Sequence, residues 1–300
     1  MPDSKRFLHP EAIKRISRLQ LRARRIVEGF LSGMHRSPYF GQSVEFLQHR
    51  EYATGDDLRH VDWKVWARQD RLYVKQYEED TNLRCTLLVD VSASMAYGRG
   101  PLNKYEYACT VASSLAYLVL KQQDAVGCVA FDEHVRHKVP VRSRRNHLDS
   151  VIDALAVSEP RNKTEMYSIL REVAESYPRR GMMILVSDLL ADPQGTLRGL
   201  KLLRQRGHDV LVFHILDDDE LDFPFTGPVR FEGLETLDYL NCNPRALRDG
   251  YLKALGGFLD QVRRGCARHT ADYALVRTSQ PLDAALASYL STRLGMHRRN

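Results

Sequence analysis

The 300-residue sequence contains no apolar run that approaches the roughly 18 residues of a membrane-spanning helix. Its start, MPDSKRFLHPEAIKR, also lacks the apolar core of a secretory signal peptide. The five cysteines are too widely spaced for a disulfide framework or a zinc site, and they stand at positions 85, 109, 128, 242 and 266. We therefore expect a cytoplasmic protein without transmembrane segments, in which Cys85 and Cys128 are reduced thiols of the core.

The motifs of several common enzyme classes are also missing. The sequence has no Walker A motif, no glycine-rich dinucleotide fingerprint after the strand predicted over 84–90, and no Gly-x-Ser-x-Gly elbow. Haloacid-dehalogenase phosphatases need an acid two residues after their strand-end aspartate, and Ser92 occupies that position here. We therefore expect a protein that is not an enzyme, with an unrecognised hydrolase site as the remaining catalytic alternative.

Acidic residues are scarce in one segment only. Residues 1–36 hold nine Lys/Arg and three Asp/Glu, which accounts for the whole net charge of +6. Apolar residues at helical spacing predict an amphipathic helix over 10–32, which begins at Pro10 and ends before Gly33. Such a basic segment could bind nucleic acid or anionic lipid. We favour a solvated basic face whose apolar stripe packs on the rest of the protein.

From residue 83 onward, apolar strands and amphipathic helices alternate, which predicts a doubly wound, mostly parallel α/β sheet. Residues 1–80 are predicted to form the basic helix and a small β appendage, and residues 81–300 the α/β domain with a hairpin insertion at 217–240. The predicted strands are 84–90, 125–131, 134–139, 182–188, 209–216 and 272–277. The predicted helices are 103–122, 146–157, 164–177, 195–206, 244–267 and 281–293.

Oxygen-bearing side chains follow two of these strands. Asp90, Ser92 and Ser94 come at the end of CTLLVD, and Asp188 closes the run MMILVSD. In a 3-2-1-4-5-6 strand order these two ends are neighbours at the switch point, where ligands bind. Thr164, in the loop EPRNKTEM, adds a further hydroxyl. Carboxylates and hydroxyls suit Mg²⁺, Mn²⁺ or Ca²⁺, so these five residues form a predicted cation site.

Two alternatives weaken this interpretation. Ser and Asp commonly decorate turns, so the cluster could be a degenerate site with a structural turn. Asn162 and Glu165 have capping-box spacing, which would make Thr164 a first-turn helix residue.

The acidic run 217–220 lacks the glycine and terminal glutamate of an EF-hand loop, so we expect a solvated loop there.

The five predicted ligands match the metal-ion-dependent adhesion pattern of von Willebrand factor A domains. Upstream, Arg50-Glu51-Tyr52, Gly55-Asp56-Asp57-Leu58-Arg59 and Asp62-Trp63-Lys64 resemble the signature of a bacterial family known as domain of unknown function 58. The resemblance covers roughly residues 40–215. It implies a von Willebrand factor A-like fold and, because such proteins are commonly encoded beside MoxR-type AAA+ ATPases, an adaptor role in chaperone-like assembly or metal insertion.

These observations predict a non-enzymatic, divalent-cation-dependent protein-binding adaptor. Asp90 and Asp188 offset the charge of one cation, whereas Ser92, Ser94 and Thr164 add only neutral donors. One coordination position then stays open for an acidic side chain of a MoxR-type ATPase or its client, and we expect both serine hydroxyls to be solvent-accessible. The alternative is a nucleic-acid or nucleotide-binding protein that uses the basic helix, although nucleic acid is the less favoured partner.

Overall fold

The computed structural model describes residues 46–51, 73–77, 83–144, 146–235 and 238–281. The helix predicted over 10–32 lies outside these residues, as does the helix predicted over 281–293 apart from its first residue. The chain divides into two compact units, of which the smaller spans Gly33–Asn82. Its described part is an antiparallel pair of strands, β1 (Phe46–Glu51) and β2 (Tyr73–Tyr77). The domain boundary at residue 80 stays a prediction.

The larger unit contains eight described strands. In chain order they are β3 (Arg84–Asp90), β4 (Ala125–Phe131), β5 (Val135–Arg142), β6 (Met182–Ser187), β7 (Asp209–Leu216), β8 (Val229–Glu232), β9 (Tyr239–Cys242) and β10 (Asp272–Arg277). Six of them form one sheet in the order β5-β4-β3-β6-β7-β10, and β8 and β9 form an antiparallel hairpin. Only β5 runs antiparallel within the six-stranded sheet. This is the predicted 3-2-1-4-5-6 order, so the doubly wound α/β class is confirmed.

Helices cover both faces of this sheet. In chain order they are α1 (Lys104–Lys121), α2 (His147–Val157), α3 (Met166–Ser176), α4 (Pro193–Gln205), α5 (Asp218–Asp222) and α6 (Pro244–Arg268), and a 3₁₀ turn spans Ala93–Ala96. Helices α1 and α2 pack on one face, whereas α3, α4 and α6 pack on the other. Within the described residues, none of the helices combines the length and apolarity needed to span a bilayer.

The central strand β3 shows why the sheet is buried on both sides. Cys85, Leu87 and Val89 belong to the core against α1 and α2, while Leu88 belongs to the opposite core. Successive side chains of a strand point to opposite faces, so a continuous apolar run needs cover on each. Cys85 and Cys128 are buried free thiols, as predicted.

The acidic run 217–220 is not a solvated loop, so that expectation was wrong. Asp217 is only 3% exposed and caps α5, and its partner in a capping box is Glu220. This side-chain pair satisfies free N–H groups at the helix start. The adjoining hairpin of β8 and β9 begins within the insertion predicted at 217–240 and ends at Cys242, beyond the predicted boundary. The run therefore belongs to the fold beside the predicted cation site.

Candidate metal centre

The predicted ligands come together where parallel strands end. Strands β3 and β6 are hydrogen-bonded neighbours, and Val89 stands opposite Val186 in their register. Asp90 ends β3, and Asp188 follows β6 directly. Both carboxylates are 1% exposed, so they share a dry site at the carboxyl end of the sheet. The sheet topology thus places the two aspartates as the strand order predicted.

Asp90 is held by hydrogen bonds from three directions. Its Oδ1 accepts the backbone N–H of Ser92 at 2.9 Å, and the Thr164 hydroxyl donates to the same oxygen at 3.2 Å. Its Oδ2 accepts the Ser187 hydroxyl at 2.5 Å. Ser187 is fixed in turn, because its oxygen accepts the N–H of Leu189 at 2.9 Å. The carboxylate therefore has a defined orientation before any ligand arrives.

The two serines occupy the tight turn after β3. Ser92 precedes the 3₁₀ turn and Ser94 lies within it, and their hydroxyl oxygens are 3.1 Å apart. Two adjacent ligands of an octahedral Mg²⁺, each about 2.1 Å from the ion, lie roughly 3.0 Å from one another. The spacing of the two oxygens therefore suits ligation of one small cation.

Thr164 lies beside Asp90 and is not part of a helix cap. The capping-box alternative was wrong, since α3 begins only at Met166 and has no side-chain cap hydrogen bond. The Asn162 amide instead donates to Asp132 at 3.0 Å, and the Asn162 carbonyl accepts the N–H of Ala93 at 2.9 Å. These contacts tie the Thr164 loop to the serine turn, which places Thr164 with Asp90, Ser92 and Ser94, and Asp188 is close enough to raise the pKa of Asp90.

Sequence reasoning missed Lys104, the first residue of α1. Its side chain is fully buried, and its Nζ lies 2.7 Å from both Asp188 Oδ2 and Glu220 Oε1. Burial alone would lower the pKa of Lys104, but these two carboxylates raise it above its ordinary value. A cation in the first turn of a helix opposes the helix dipole. That unfavourable placement is the sequence signal that could have singled out this lysine.

Lys104 changes the charge balance of the site. Asp90, Asp188 and Glu220 contribute three negative charges when ionised, and Lys104 returns one positive charge. The remaining charge of two is what one divalent cation would offset. Asp90 and Asp188, the two acids considered from the sequence, also give a charge of minus two on their own, because the charges of Lys104 and Glu220 cancel.

Electrostatics at Asp90 point the same way. Burial, and secondarily the nearby charge of Asp188, raise the pKa of Asp90 from 3.8 to about 7, although the Ser187 and Ser92 hydrogen bonds oppose the rise. A buried carboxylate with such a pKa lacks enough positive charge around it. The carboxylate and hydroxyl set therefore fits a hard divalent cation. Among the described residues, no group of three or more His, Cys, Asp or Glu side chains is placed to hold a metal, and this holds for the present site too. Its hydroxyl groups are therefore an essential part of the proposed ligand set.

His214 on β7 is a second residue that sequence reasoning missed. Its Nε2 lies 2.8 Å from the Asp188 carbonyl oxygen, and its Nδ1 lies 2.8 Å from the Tyr273 hydroxyl. Burial lowers the pKa of His214 to about 4, so the ring is neutral at pH 7. Because a carbonyl only accepts, Nε2–H donates to Asp188 and Nδ1 accepts from Tyr273. The ring thereby fixes the backbone that carries Asp188.

Access to the site is narrower than expected. Ser92 is 0% exposed and Ser94 is 7% exposed, so the expectation that both hydroxyls are solvent-accessible was wrong. Ser94 nevertheless lines a cavity of about 820 Å³ between the β8–β9 hairpin, α5 and α6. Its walls are mainly apolar and include Phe223, Phe231 and Tyr251. The site therefore meets this cavity through Ser94.

Comparison with known proteins places the chain in a family. A sequence profile of the family described as "Protein of unknown function DUF58" matches residues 48–256, more than half of the chain. The chain belongs to the DUF58 family. The match includes the upstream signature from Arg50 to Lys64 and all five predicted ligands, so the resemblance to this family is confirmed.

Bacterial relatives extend over almost the whole chain. The uncharacterized protein Rv1480 of Mycobacterium tuberculosis H37Rv is 26% identical over 289 residues, which cover 95% of this chain and 90% of that protein. The uncharacterized protein Mb1516 of Mycobacterium bovis gives the same values.

Two solved structures show a looser similarity. The conserved hypothetical protein BatB of Bacteroides thetaiotaomicron is 15% identical and covers 70% of this chain and 98% of its own, with a TM-score of 0.44. The VWA domain of SpRpn10 is 12% identical and covers 68% and 94%, with a TM-score of 0.39. Both TM-scores are below 0.5, so the family match and the strand order carry the assignment.

Proposed function

We propose that this DUF58 protein is a von Willebrand factor A-like, divalent-cation-dependent protein-binding adaptor without catalytic activity. One observation carries the proposal: five oxygen-bearing residues converge at a buried sheet end whose surroundings lack two positive charges. Mg²⁺ is the first candidate, and Mn²⁺ or Ca²⁺ could replace it because all three prefer oxygen ligands. When bound, the cation supplies a Lewis-acidic centre that attracts a carboxylate.

Each residue of the proposed site has a separate role in binding this cation. Ser92 and Ser94 offer adjacent hydroxyl oxygens, and Thr164 offers a third. Asp90 supplies charge and is oriented by Ser187, while Asp188 is oriented by Lys104. Because the hydroxyls are neutral, the cation keeps a net attraction for further negative charge. A partner's Asp or Glu can use that attraction from the side where Ser94 meets the cavity.

We infer that the partner is a MoxR-type AAA+ ATPase or its client. The support is the DUF58 membership, because proteins that resemble this family are commonly encoded beside MoxR-type AAA+ ATPases. The role that this implies is chaperone-like assembly or metal insertion. An acidic side chain on that partner would complete the cation's coordination. Affinity would then depend on two things that can be varied separately, the cation site of this chain and one carboxylate of the partner.

The test is calorimetry between the full chain and a purified MoxR-type ATPase at constant Mg²⁺. Chelation is a poor discriminator because the ATPase itself requires Mg²⁺, so site variants replace it. Asp90→Ala, or Ser92→Ala combined with Ser94→Ala, should reduce affinity at least tenfold if the metal-bound carboxylate is a central contact. The matched control is Asp260→Ala, which removes a carboxylate that is 57% exposed on α6.

Far-UV circular dichroism checks that each variant is folded. Equal affinity of the Asp90 and Asp260 variants would refute docking through the cation. Charge reversal in the basic segment, by Arg24→Glu with Arg25→Glu, should have little effect. If that variant alone loses binding, the basic segment is the docking point and the nucleic-acid or nucleotide alternative gains support.

A further inference from the structure

A carboxylate of the chain itself faces the proposed cation site. Glu235 follows β8 and interacts with the hydroxyl and backbone of Ser94. The Asp188 carboxylate and the Lys163 ammonium are both close enough to act on Glu235 electrostatically. Glu235 and Ser94 also line the same cavity. The hairpin therefore carries an acidic side chain to the side of the site where Ser94 meets the cavity.

One oxygen of Glu235 has no hydrogen-bond partner. Its Oε1 is buried, and no donor among the described residues reaches it. A buried polar atom without a partner destabilises the protein, and it does so more strongly when it is charged. Repulsion from Asp188 adds to that destabilisation. A cation bound at this position would stabilise the Glu235 carboxylate, because it would offset the charges of Glu235 and Asp188.

We propose that Glu235 is an internal ligand of the same cation, which it binds beside Ser94 at the position open to a partner's carboxylate. The inference rests on the proposed function, because it needs a cation at Asp90, Ser92 and Ser94. It adds a regulated state to that function. With Glu235 engaged the site is closed, and a partner's acidic side chain must displace the hairpin to bind.

Charge and position both support this exchange. Glu235 raises the negative charge of the buried site from two to three, and the exposed Lys163 offsets part of it, so a bound divalent cation leaves an excess of up to one negative charge. A partner carboxylate that arrived while Glu235 stayed would raise that excess further. Displacement is therefore favoured over addition. Leu234 and Leu240 are 50% and 54% exposed, so the ring of Phe231, which packs on Phe223 and Phe225, is the hairpin contact that displacement would break.

The test measures Mn²⁺ binding to the full, partner-free chain by calorimetry and electron paramagnetic resonance. Glu235→Gln should weaken Mn²⁺ binding about tenfold, within the range seen when groups that support metal ligands are removed. Glu232→Gln is the matched control on the same hairpin. Its carboxylate is 67% exposed and pairs with Arg230 at 3.1 Å, so its loss should leave Mn²⁺ affinity unchanged.

Hydrogen exchange gives a second readout that does not depend on affinity. Mg²⁺ should slow amide exchange in the β8–β9 hairpin of the native chain but not of the Glu235→Gln variant. The outcomes separate the two proposals. If Asp90→Ala abolishes Mn²⁺ binding while Glu235→Gln binds like the native chain, the internal ligand is refuted and the cation site stands.

Equal weakening by Glu232→Gln and Glu235→Gln would show a general charge effect and would also refute the internal ligand. If the native chain binds no Mn²⁺, or if Asp90→Ala binds it normally, both proposals fail together.

Discussion

Asp90→Asn should make the cation-free protein more stable at pH 8 and at the same time abolish its response to Mg²⁺. The physical reason is the position of Asp90, whose buried carboxylate lies near Asp188 and has a pKa of about 7. In the unfolded chain the same group has a pKa near 3.8. Folding therefore costs free energy whenever Asp90 must be ionised without a compensating cation. Asparagine can still accept the Ser92 N–H and carries no charge.

The magnitude follows from the pKa difference. One pKa unit corresponds to about 1.4 kcal/mol, so the rise to about 7 corresponds to ~4 kcal/mol when the carboxylate is fully ionised. Between pH 3.8 and 7 the native state binds more protons than the unfolded state, so the Asp90 contribution to stability falls as pH rises. It is complete below pH 3.8 and lost above pH 7. Mg²⁺ should restore part of it, about 1.4 kcal/mol at ten times its dissociation constant.

His214 acts in the opposite direction over part of this range. Its pKa falls from 6.5 to about 4 on folding, so its contribution to stability increases between pH 4 and 6.5. The pH profile of the native sequence alone therefore cannot isolate Asp90. The difference between native protein and Asp90→Asn can, since both carry His214.

The assay is urea denaturation of the two proteins from pH 5 to 8, with chelator and with 5 mM Mg²⁺, on the order of metal concentrations used for weak sites. In chelator, the stability of Asp90→Asn relative to native should rise by about 2.7 kcal/mol across this range, because only the two pH units from 5 to 7 fall within it. In Mg²⁺ the native protein should recover part of this stability, while the variant should not change. A stability difference that does not vary with pH, or an equal Mg²⁺ response in both proteins, would refute the reasoning.

Three further results are expected. Lys104→Met should destabilise the fold by about 3–5 kcal/mol, because it leaves Asp188 and Glu220 buried without their partner; a loss below about 1 kcal/mol in urea would contradict the ion-pair account. Thr164→Val keeps the side-chain shape and removes the hydroxyl, so Mg²⁺ affinity measured by calorimetry should fall about tenfold, and unchanged affinity would remove Thr164 from the site. The purified chain should not hydrolyse ATP or simple phosphate esters, and turnover that disappears in Asp90→Asn would overturn the non-enzymatic proposal.

The strand order and the meeting of Asp90 with Asp188 were predictable because they follow from local signals. Apolar runs of strand length alternate with amphipathic helices. The connections between parallel strands that pass through a helix are almost always right-handed crossovers. That rule leaves few topologies, and in the 3-2-1-4-5-6 order β3 and β6 are adjacent. Donors placed at the ends of adjacent parallel strands must then be close. Asp90, Asp188 and the two serines after β3 follow from this rule, whereas Thr164 lies in the loop before α3 and does not.

The contacts around the site could not be predicted, because they join residues far apart in sequence. Lys104 pairs with Asp188 across 84 residues and with Glu220 across 116. The periodicity of apolar residues in the sequence does not indicate which distant charged residues form an ion pair. The acidic run 217–220 was misinterpreted for the same reason, since charged residues are rarely buried unless they are paired. Glu235 is similar, because a short hairpin has no pattern that reveals which residue reaches Ser94.

The sign of the charge at this end of the sheet decides between the two classes of partner. Asp90, Asp188, Glu220 and Glu235 outnumber Lys104 and Lys163, so without a cation the site repels both phosphates and carboxylates. In the nucleic-acid alternative the basic segment within residues 1–36 is the binding surface, and affinity would fall steeply with salt as counterions are released. A single carboxylate on a buried cation is screened far less. Weak salt dependence combined with loss of binding in Asp90→Ala would therefore identify the cation site, and the opposite pair of results would identify the basic segment.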